Sequence, residues 1–134
     1  YLAMSTLRWK QCAQFARNSE TRMWIFLLRI TPPSIGRREV LDILKTVRGP
    51  TIAQPGCLGC AIYEGLGEDV SILYIENWAG WDQLHQHILS GLYARLLAAM
   101  DLSAVAPEIK FYEADVAHGI ELIESIRTQA GRSV

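Results

Sequence analysis

Four short runs of apolar, β-branched and aromatic residues along the chain are typical of β-strands. These runs are residues 23–30, 57–64, 70–78 and 108–114. The first run ends at Thr31-Pro32-Pro33, which no central strand could continue through. Residues 65–69 contain glycine and join the second and third runs at the length of a hairpin loop. We therefore predict four strands, with the middle two paired as an antiparallel hairpin.

Between the strands, apolar residues recur at helical spacing. After Gly36 they fall at i, i+1, i+4 and i+7, as in an amphipathic helix: Val40, Leu41, Leu44 and Val47. Arg48-Gly49-Pro50 is expected to interrupt this helix. A second helix is predicted from about Trp81 to Met100, and a short third helix over residues 119–131. The order β-α-β-β-α-β predicts an α+β fold of the ferredoxin-like type with a four-stranded antiparallel sheet.

Both faces of the predicted sheet are apolar. In the first strand, Trp24, Phe26 and Leu28 point to one face, while Ile25 and Leu27 point to the other. Two helices can cover only one face of such a sheet, and the other face would be a large exposed apolar patch. We expect a second copy of the sheet to cover it, so that the chain forms a homodimer through its sheet faces. The alternative is that the C-terminal segment folds back over this face.

The chain of 134 residues has the length of one domain. We predict an N-terminal extension at residues 1–22, a ferredoxin-like domain at 23–115 and a C-terminal helical tail at 116–134. Residues 1–22 lack an apolar segment followed by a small-residue cleavage site, so they do not resemble a secretory signal. Met23 stands immediately before the first predicted strand.

Charge and cysteine content narrow the range of partners. The net charge of −1 gives no electrostatic basis for binding nucleic acid or an anionic membrane. No apolar run approaches the roughly 18 residues that a bilayer span requires. With only three cysteines and no need for disulfides, the chain fits a reducing cytoplasm.

The segment Cys57-Leu58-Gly59-Cys60 has the spacing of a redox motif. Redox chemistry favours a first cysteine at a helix N-terminus, whereas this pair follows a Pro-Gly turn and enters a strand. On a regular strand, an i, i+3 spacing places the two thiols on opposite faces. No second cysteine pair is present to complete a zinc site. We therefore predict no metal site and rank a thiol-redox function below the alternatives.

Three segments, QPGCLGCAIYE, YIENW and LHQHILSGLYARLLAAM, resemble the antibiotic biosynthesis monooxygenase family of dimeric α/β barrels, which includes candidate quinol monooxygenases. That family typically shows Pro-Gly-Cys before the second strand and Glu-x-Trp at the end of the third. A histidine follows nine residues after the tryptophan, and then a Ser or Thr and an aromatic residue. The matching residues are Pro55-Gly56-Cys57, Glu76-Asn77-Trp78, His87, Ser90 and Tyr93.

The resemblance covers about residues 23–115 and has two departures. Many members carry a second histidine where this chain has Leu92. Haem-degrading relatives carry an iron-ligating histidine further along the helix, where this chain has Leu96 and Leu97. The second departure disfavours haem degradation.

The resemblance implies that the protein oxidises a small aromatic or quinol-like substrate with dioxygen and without a bound cofactor. Triplet dioxygen reacts poorly with closed-shell compounds, so the substrate must supply an electron, as a deprotonated phenol can. Such a site needs an apolar pocket and a group that takes the proton, and a histidine with a pKa near 6.5 suits that role. We predict that His87 is catalytic, that Tyr63, Trp78 and Tyr93 line the pocket, and that Asn77 orients the substrate.

Two alternatives stay open at this point. His85 and His87 diverge by about 200° on one helix, so they cannot both face one pocket. Periodicity favours His85, the resemblance favours His87, and a helix break at Ser90-Gly91 would reconcile the two. The alternative function is a non-catalytic homodimer of the same fold that binds a small apolar ligand. Glu76 is expected to pair with an arginine.

Overall fold

The computed structural model describes residues 22–132, which form one four-stranded sheet with three helices packed on one side and an exposed C-terminal helix. The strands are β1 (Met23–Ile30), β2 (Cys57–Glu64), β3 (Ile72–Trp78) and β4 (Glu108–Ala114). They lie in the order β2-β3-β1-β4, and each neighbouring pair is antiparallel. The predicted α+β, ferredoxin-like arrangement is confirmed. The extension predicted for residues 1–22 lies outside the described residues, apart from Arg22.

The helices differ from the prediction in two places. They are α1 (Arg37–Ile52), α2 (Trp81–Leu89), α3 (Gly91–Asp101) and α4 (Ile120–Arg132). Helix α1 continues through Pro50 to Ile52, so the expected interruption is wrong; the missing N–H and the proline ring affect only the last turn of the helix. The single helix predicted from Trp81 is two helices, because Ser90 between them has extended backbone angles, φ −79° and ψ 161°.

One face of the sheet, called the closed face, forms the core and is covered by the helices except at β4, where Ile109 and Phe111 are 45% and 42% exposed. Its strand residues alternate with those of the opposite face, and all of the following are buried: Phe26, Leu28, Ile30, Cys60, Ile72, Tyr74, Glu76 and Trp78. They pack with the inward positions of α1 (Val40, Leu44 and Val47) and with Leu96 and Ala99 of α3. The closed face also holds a buried carboxylate, Glu76, among these apolar side chains.

The opposite face, called the open face, is mostly apolar and uncovered in the single chain, and on its β4 side it carries the paired charges of Arg29, Glu108 and Lys110. It carries Ile25, Leu27, Tyr63, Leu73, Ile75, Asn77 and Tyr112, all part-buried or exposed. Residues 120–131 of α4 are all exposed, so the described C-terminal tail does not fold back over this face. The open face is therefore the large apolar patch that the sequence predicts. Within residues 22–132, no helix is both long and apolar enough to cross a bilayer.

An irregularity near the start of β2 changes the placement of the cysteines. Cys57 pairs with Trp78, and Gly59 pairs with the next β3 residue, Asn77, so Leu58 is an extra residue in a β-bulge. Cys57 and Cys60 therefore lie opposite two β3 residues, Trp78 and Glu76, that share the closed face. The expectation that the two thiols point to opposite faces is wrong, because it assumed a regular strand. Both cysteines are free thiols.

Candidate active site

The buried carboxylate of Glu76 is the centre of a polar cluster on the closed face. Tyr74, Glu76 and Trp78 alternate along β3 and so share that face. The Tyr74 hydroxyl donates to Glu76 Oε2 at 2.6 Å, and Trp78 Nε1 donates to Glu76 Oε1 at 3.0 Å. A third contact joins His87 Nε2 to Glu76 Oε2 at 2.9 Å. The expectation that Glu76 pairs with an arginine is wrong, because a histidine and two neutral donors surround it.

The break after α2 determines which histidine faces the sheet. Ser90 ends α2: its backbone N–H and its hydroxyl both donate to the His87 carbonyl, at 3.0 and 2.6 Å. In this short helix Leu84 and His87, three positions apart, are the buried residues, and His87 is 1% exposed. His85 is part-buried, and its ring lies 5.9 Å from that of Trp81. His87 is therefore the inward histidine, while its catalytic role remains a prediction.

Both nitrogens of the His87 ring have partners. Nε2 contacts the Glu76 carboxylate, which can only accept, so Nε2 carries a proton when Glu76 is ionised. Nδ1 lies 2.9 Å from Oε1 of Gln54. An amide offers an acceptor at one end and a donor at the other, and its orientation is assigned from its neighbours. Gln54 can thus accept from a protonated Nδ1 or, turned over, donate to an unprotonated one.

A tight turn between α1 and β2 presents Gln54 to the histidine. The Cys57 N–H donates to the Gln54 carbonyl at 3.1 Å, closing a four-residue turn with Pro55 and Gly56 at its centre. Gly56 has φ +84°, as the third residue of a type II turn requires. A side chain there would also lie 2.3 Å from Gln83. These two constraints explain why position 56 is a glycine, and the turn that it allows holds Gln54 beside His87.

Aromatic rings enclose the histidine. The Trp78 ring centre lies 4.8 Å from that of His87, and Tyr93 on α3 meets the imidazole edge-on at 5.6 Å. Burial, with the nearby Glu76 charge as a second cause, raises the pKa of Tyr93 to about 12. The same causes raise the pKa of Tyr74 far above its ordinary value. Both tyrosines therefore stay neutral at physiological pH, so their hydroxyls can serve as hydrogen-bond donors.

The neighbouring thiols are not activated. Burial raises the pKa of Cys60 to about 12 and raises the pKa of Cys57 as well. A thiol that resists ionisation is a poor nucleophile and a poor metal ligand, which disfavours the thiol-redox function. Among the described residues, no group of three or more His, Cys, Asp or Glu side chains is placed to hold a metal ion.

The structure brings together three of the five predicted site residues and separates the other two. His87, Trp78 and Tyr93 form one cluster. Asn77 lies between Glu76 and Trp78 in β3 and so points to the open face, where it pairs in register with Ile25. Tyr63, opposite Leu73, lies on the open face too and is 56% exposed. The expected single pocket is divided by the sheet itself.

The sequence prediction does not include Glu76 and Gln54 as partners of His87. For Glu76, a pattern in the sequence indicates the position. Glu76 stands two positions before Trp78, so strand alternation already places both on the same face. Gln54 has no comparable periodicity. Its position follows only from the turn at Pro55-Gly56, which the sequence marks as a chain reversal without showing what it faces.

Comparison with known proteins identifies the fold. No family model matches the sequence. A curated relative, an uncharacterized protein from Synechocystis, is 30% identical over 78 residues, which are 58% of this chain and 53% of the relative. The chain thus matches about half the length of that relative.

Solved structures match a larger part of this chain than the Synechocystis relative does. The structure of Rv0793 from Mycobacterium tuberculosis has a TM-score of 0.65 and 18% identity, covering 72% of this chain and 98% of that one. A candidate antibiotic biosynthesis monooxygenase from Deinococcus radiodurans has a TM-score of 0.65 and 22% identity, covering 72% and 97%. SnoaB from Streptomyces nogalater, described as a cofactor-independent oxygenase, has a TM-score of 0.60 and 19% identity, covering 71% and 95%. The chain therefore has the fold of the antibiotic biosynthesis monooxygenases, as the resemblance of its motifs implies.

Proposed function

We propose that this protein belongs to the antibiotic biosynthesis monooxygenase family and oxidises a small aromatic, quinol-like compound with dioxygen and no bound cofactor. The observation that carries the proposal is the buried pair of His87 and Glu76, 2.9 Å apart and enclosed by Trp78 and Tyr93. A histidine held by a carboxylate inside an aromatic cluster suits proton transfer from a phenolic hydroxyl. The names of similarly folded proteins support the same chemistry.

In the proposed reaction the substrate supplies all the electrons that reduce dioxygen. A benzenediol and one dioxygen give a hydroxybenzoquinone and one water, so one oxygen atom enters the ring and no external reductant is needed. Deprotonation of a hydroxyl makes the ring electron-rich enough to transfer an electron to dioxygen. The proton taken by His87 then returns to the reduced oxygen atom that leaves as water.

Within this proposal each residue of the cluster has a distinct role. His87 accepts the proton at Nδ1, because Nε2 is engaged by Glu76. Glu76 is a positioning residue that holds the ring orientation and stabilises the imidazolium. Trp78 and Tyr93 supply the apolar wall. We reassign Asn77 and Tyr63, together with the rest of the open face, to the interface of a homodimer.

The proposed homodimer forms when a second copy of the chain covers the open face. Leu27, Leu73 and Ile75 lie in neighbouring strands at the centre of that face, with Ile25 and Tyr112 at the β4 side. Two such faces related by a two-fold axis would exclude water from both sheets. We place this dimer in the cytoplasm.

Oxygen consumption with a panel of quinols tests the enzyme function. We expect His87→Ala to lower the rate by about 100-fold or more, the usual range for a lost general base. His85→Ala is the matched control and should stay near the wild-type rate, since His85 lies outside the cluster. Urea unfolding of His87→Gln, which keeps a polar side chain, separates loss of chemistry from loss of fold. Equal background consumption by the wild type and His87→Ala would reject the enzyme function.

One observation favours the second candidate, a non-catalytic homodimer that binds a small apolar ligand. Both nitrogens of His87 already have partners, as in a structural histidine. In that case an aromatic ligand binds, oxygen consumption stays at background, and His87→Ala lowers stability alone.

A further inference from the structure

We propose that the Gln54 side chain is a plug: its amide occupies the position from which the hydroxyl of a small phenol would bind Nδ1 of His87. The ligand class rests on the proposed function. The geometry of the plug is independent of that function, because it concerns only which atom of the buried His87 ring an incoming molecule can reach. The site is therefore the space that the Gln54 amide fills, between the α1–β2 turn and His87.

Only one polar atom of the His87 ring is left for an incoming molecule. The ring is 1% exposed, and Nε2 is held by the equally buried Glu76. Trp78 and Tyr93 cover other sides of the imidazole. Nδ1 is the remaining polar atom of the ring, and Gln54 is the residue in contact with it, at 2.9 Å.

Gln54 lies where its side chain can move between the buried ring and the solvent. It is part-buried, while its neighbours Ala53 and Pro55 are exposed, so its side chain runs inward from the surface to the buried ring. The backbone is fixed by the turn that Cys57 closes, so the side chain can leave without moving the turn. Rotation about its side-chain torsions would clear a path from solvent to Nδ1.

The Gln54 amide and a phenolic hydroxyl can make equivalent hydrogen bonds to Nδ1 of His87. Towards Nδ1 an amide can accept or donate, and a phenolic hydroxyl can do the same. A phenol can therefore replace the amide at Nδ1, and the amide regains its hydrogen bonds in water, so the ligand loses affinity only by the net contribution of the internal hydrogen bond that it displaces. A phenol bound in place of the Gln54 amide would present its hydroxyl proton to Nδ1 of His87, the ring nitrogen that can accept it.

Binding of phenol to three proteins tests the plug by calorimetry. In Gln54→Ala the site is open, and we expect phenol to bind on the order of tenfold more tightly than to the wild type, since it no longer displaces an internal hydrogen bond. Gln86→Ala removes an exposed glutamine of α2 and should leave the affinity unchanged. Anisole, which lacks the hydroxyl proton, should gain less than phenol. Gln54→Ser gives a second opened variant if Gln54→Ala unfolds at lower urea.

Nitrogen NMR of the imidazole gives a readout that a structural role of Gln54 would not move. On adding phenol to Gln54→Ala, the Nδ1 signal of His87 should shift while the Nε2 signal stays near its position. Phenol affinity equal to or weaker than that of the wild type in both opened variants, or an unmoved Nδ1 signal, would overturn the plug. If the plug is overturned, loss of quinol-dependent oxygen consumption in His87→Ala would still support the enzyme. If phenol binds as expected but no quinol of the panel causes oxygen consumption, the plug stands and the enzyme function is rejected.

Discussion

The two faces of the sheet differ in what lies above them, although the same strands contribute to both. On the closed face, Glu76 is fully buried and accepts hydrogen bonds from Tyr74, Trp78 and His87. On the open face, the neighbouring Ile75 and Asn77 are part-buried and have no helix above them. The closed face is a largely buried interior with a polar centre, and the open face is a mostly apolar surface that no helix of the described chain covers.

The buried carboxylate and its hydrogen-bond donors all lie on the closed face. A buried carboxylate is costly unless charged or polar donors surround it, and only the face covered by α2 and α3 supplies them. The open face carries aliphatic and aromatic side chains suited to packing against a second sheet. The proposed proton transfer is therefore assigned to the closed face, and the proposed association to the open face.

The largest effect is expected from removing the polar centre of the closed face. Glu76→Ala leaves three buried donors without their acceptor and should lower the free energy of unfolding by about 3–5 kcal/mol. Glu64→Ala is the control, because Glu64 is exposed and pairs with Arg37 at the surface, where loss costs about 0–1 kcal/mol. Urea unfolding measures both. Similar losses in the two variants would mean that the closed face is not distinguished by its carboxylate.

A charge on the open face should act on association instead of on folding. Ile75→Lys places an ammonium group at the centre of the proposed interface, once in each protomer, and should weaken dimer formation by about 3 kcal/mol or more. Leu97→Lys is the control, because Leu97 is a 50% exposed residue of α3 away from that face. Sedimentation velocity gives the oligomeric state of each. An Ile75→Lys protein that stays as associated as the wild type would refute the interface.

A smaller effect is expected at the turn between α1 and β2, which holds Gln54 beside His87. Gly56→Ala forces a side chain into φ +84° and against Gln83, so it should lower the free energy of unfolding by about 2 kcal/mol. Gly67→Ala has a similar φ of +62° with open space around it, so it isolates the backbone cost. The difference between the two variants measures the contact with Gln83. Equal losses would show that this contact contributes nothing.

The sequence predicts the fold well because period-2 and period-3.6 patterns are local. The last strand has the predicted bounds, Glu108–Ala114, and β3 begins two residues later than predicted, at Ile72. The site is predicted less well, since it depends on which elements meet. Alternation in Glu76-Asn77-Trp78 already separates Asn77 from Trp78, so the prediction that both residues belong to one pocket disregards a local pattern. The bulge at Leu58 and the contact of Gln54 with His87 have no local signature, because both depend on pairing between distant residues.

The smallest effect concerns the proton held by the Cys60 thiol on the closed face. Burial raises its pKa from the ordinary 9.0 to about 12, so the folded chain keeps this proton after the unfolded chain has lost it. The stabilisation is complete below pH 9 and is lost as the pH rises towards 12, because the unfolded state then binds fewer protons. Cys60→Ala should therefore show a shallower alkaline decline in unfolding free energy than the wild type. Guanidinium unfolding between pH 8 and pH 10.5 checks this, with Leu58→Ala, an exposed neighbour, as the control. Parallel declines in Cys60→Ala and the wild type would place the thiol in contact with water, which would open the closed face at its β2 edge.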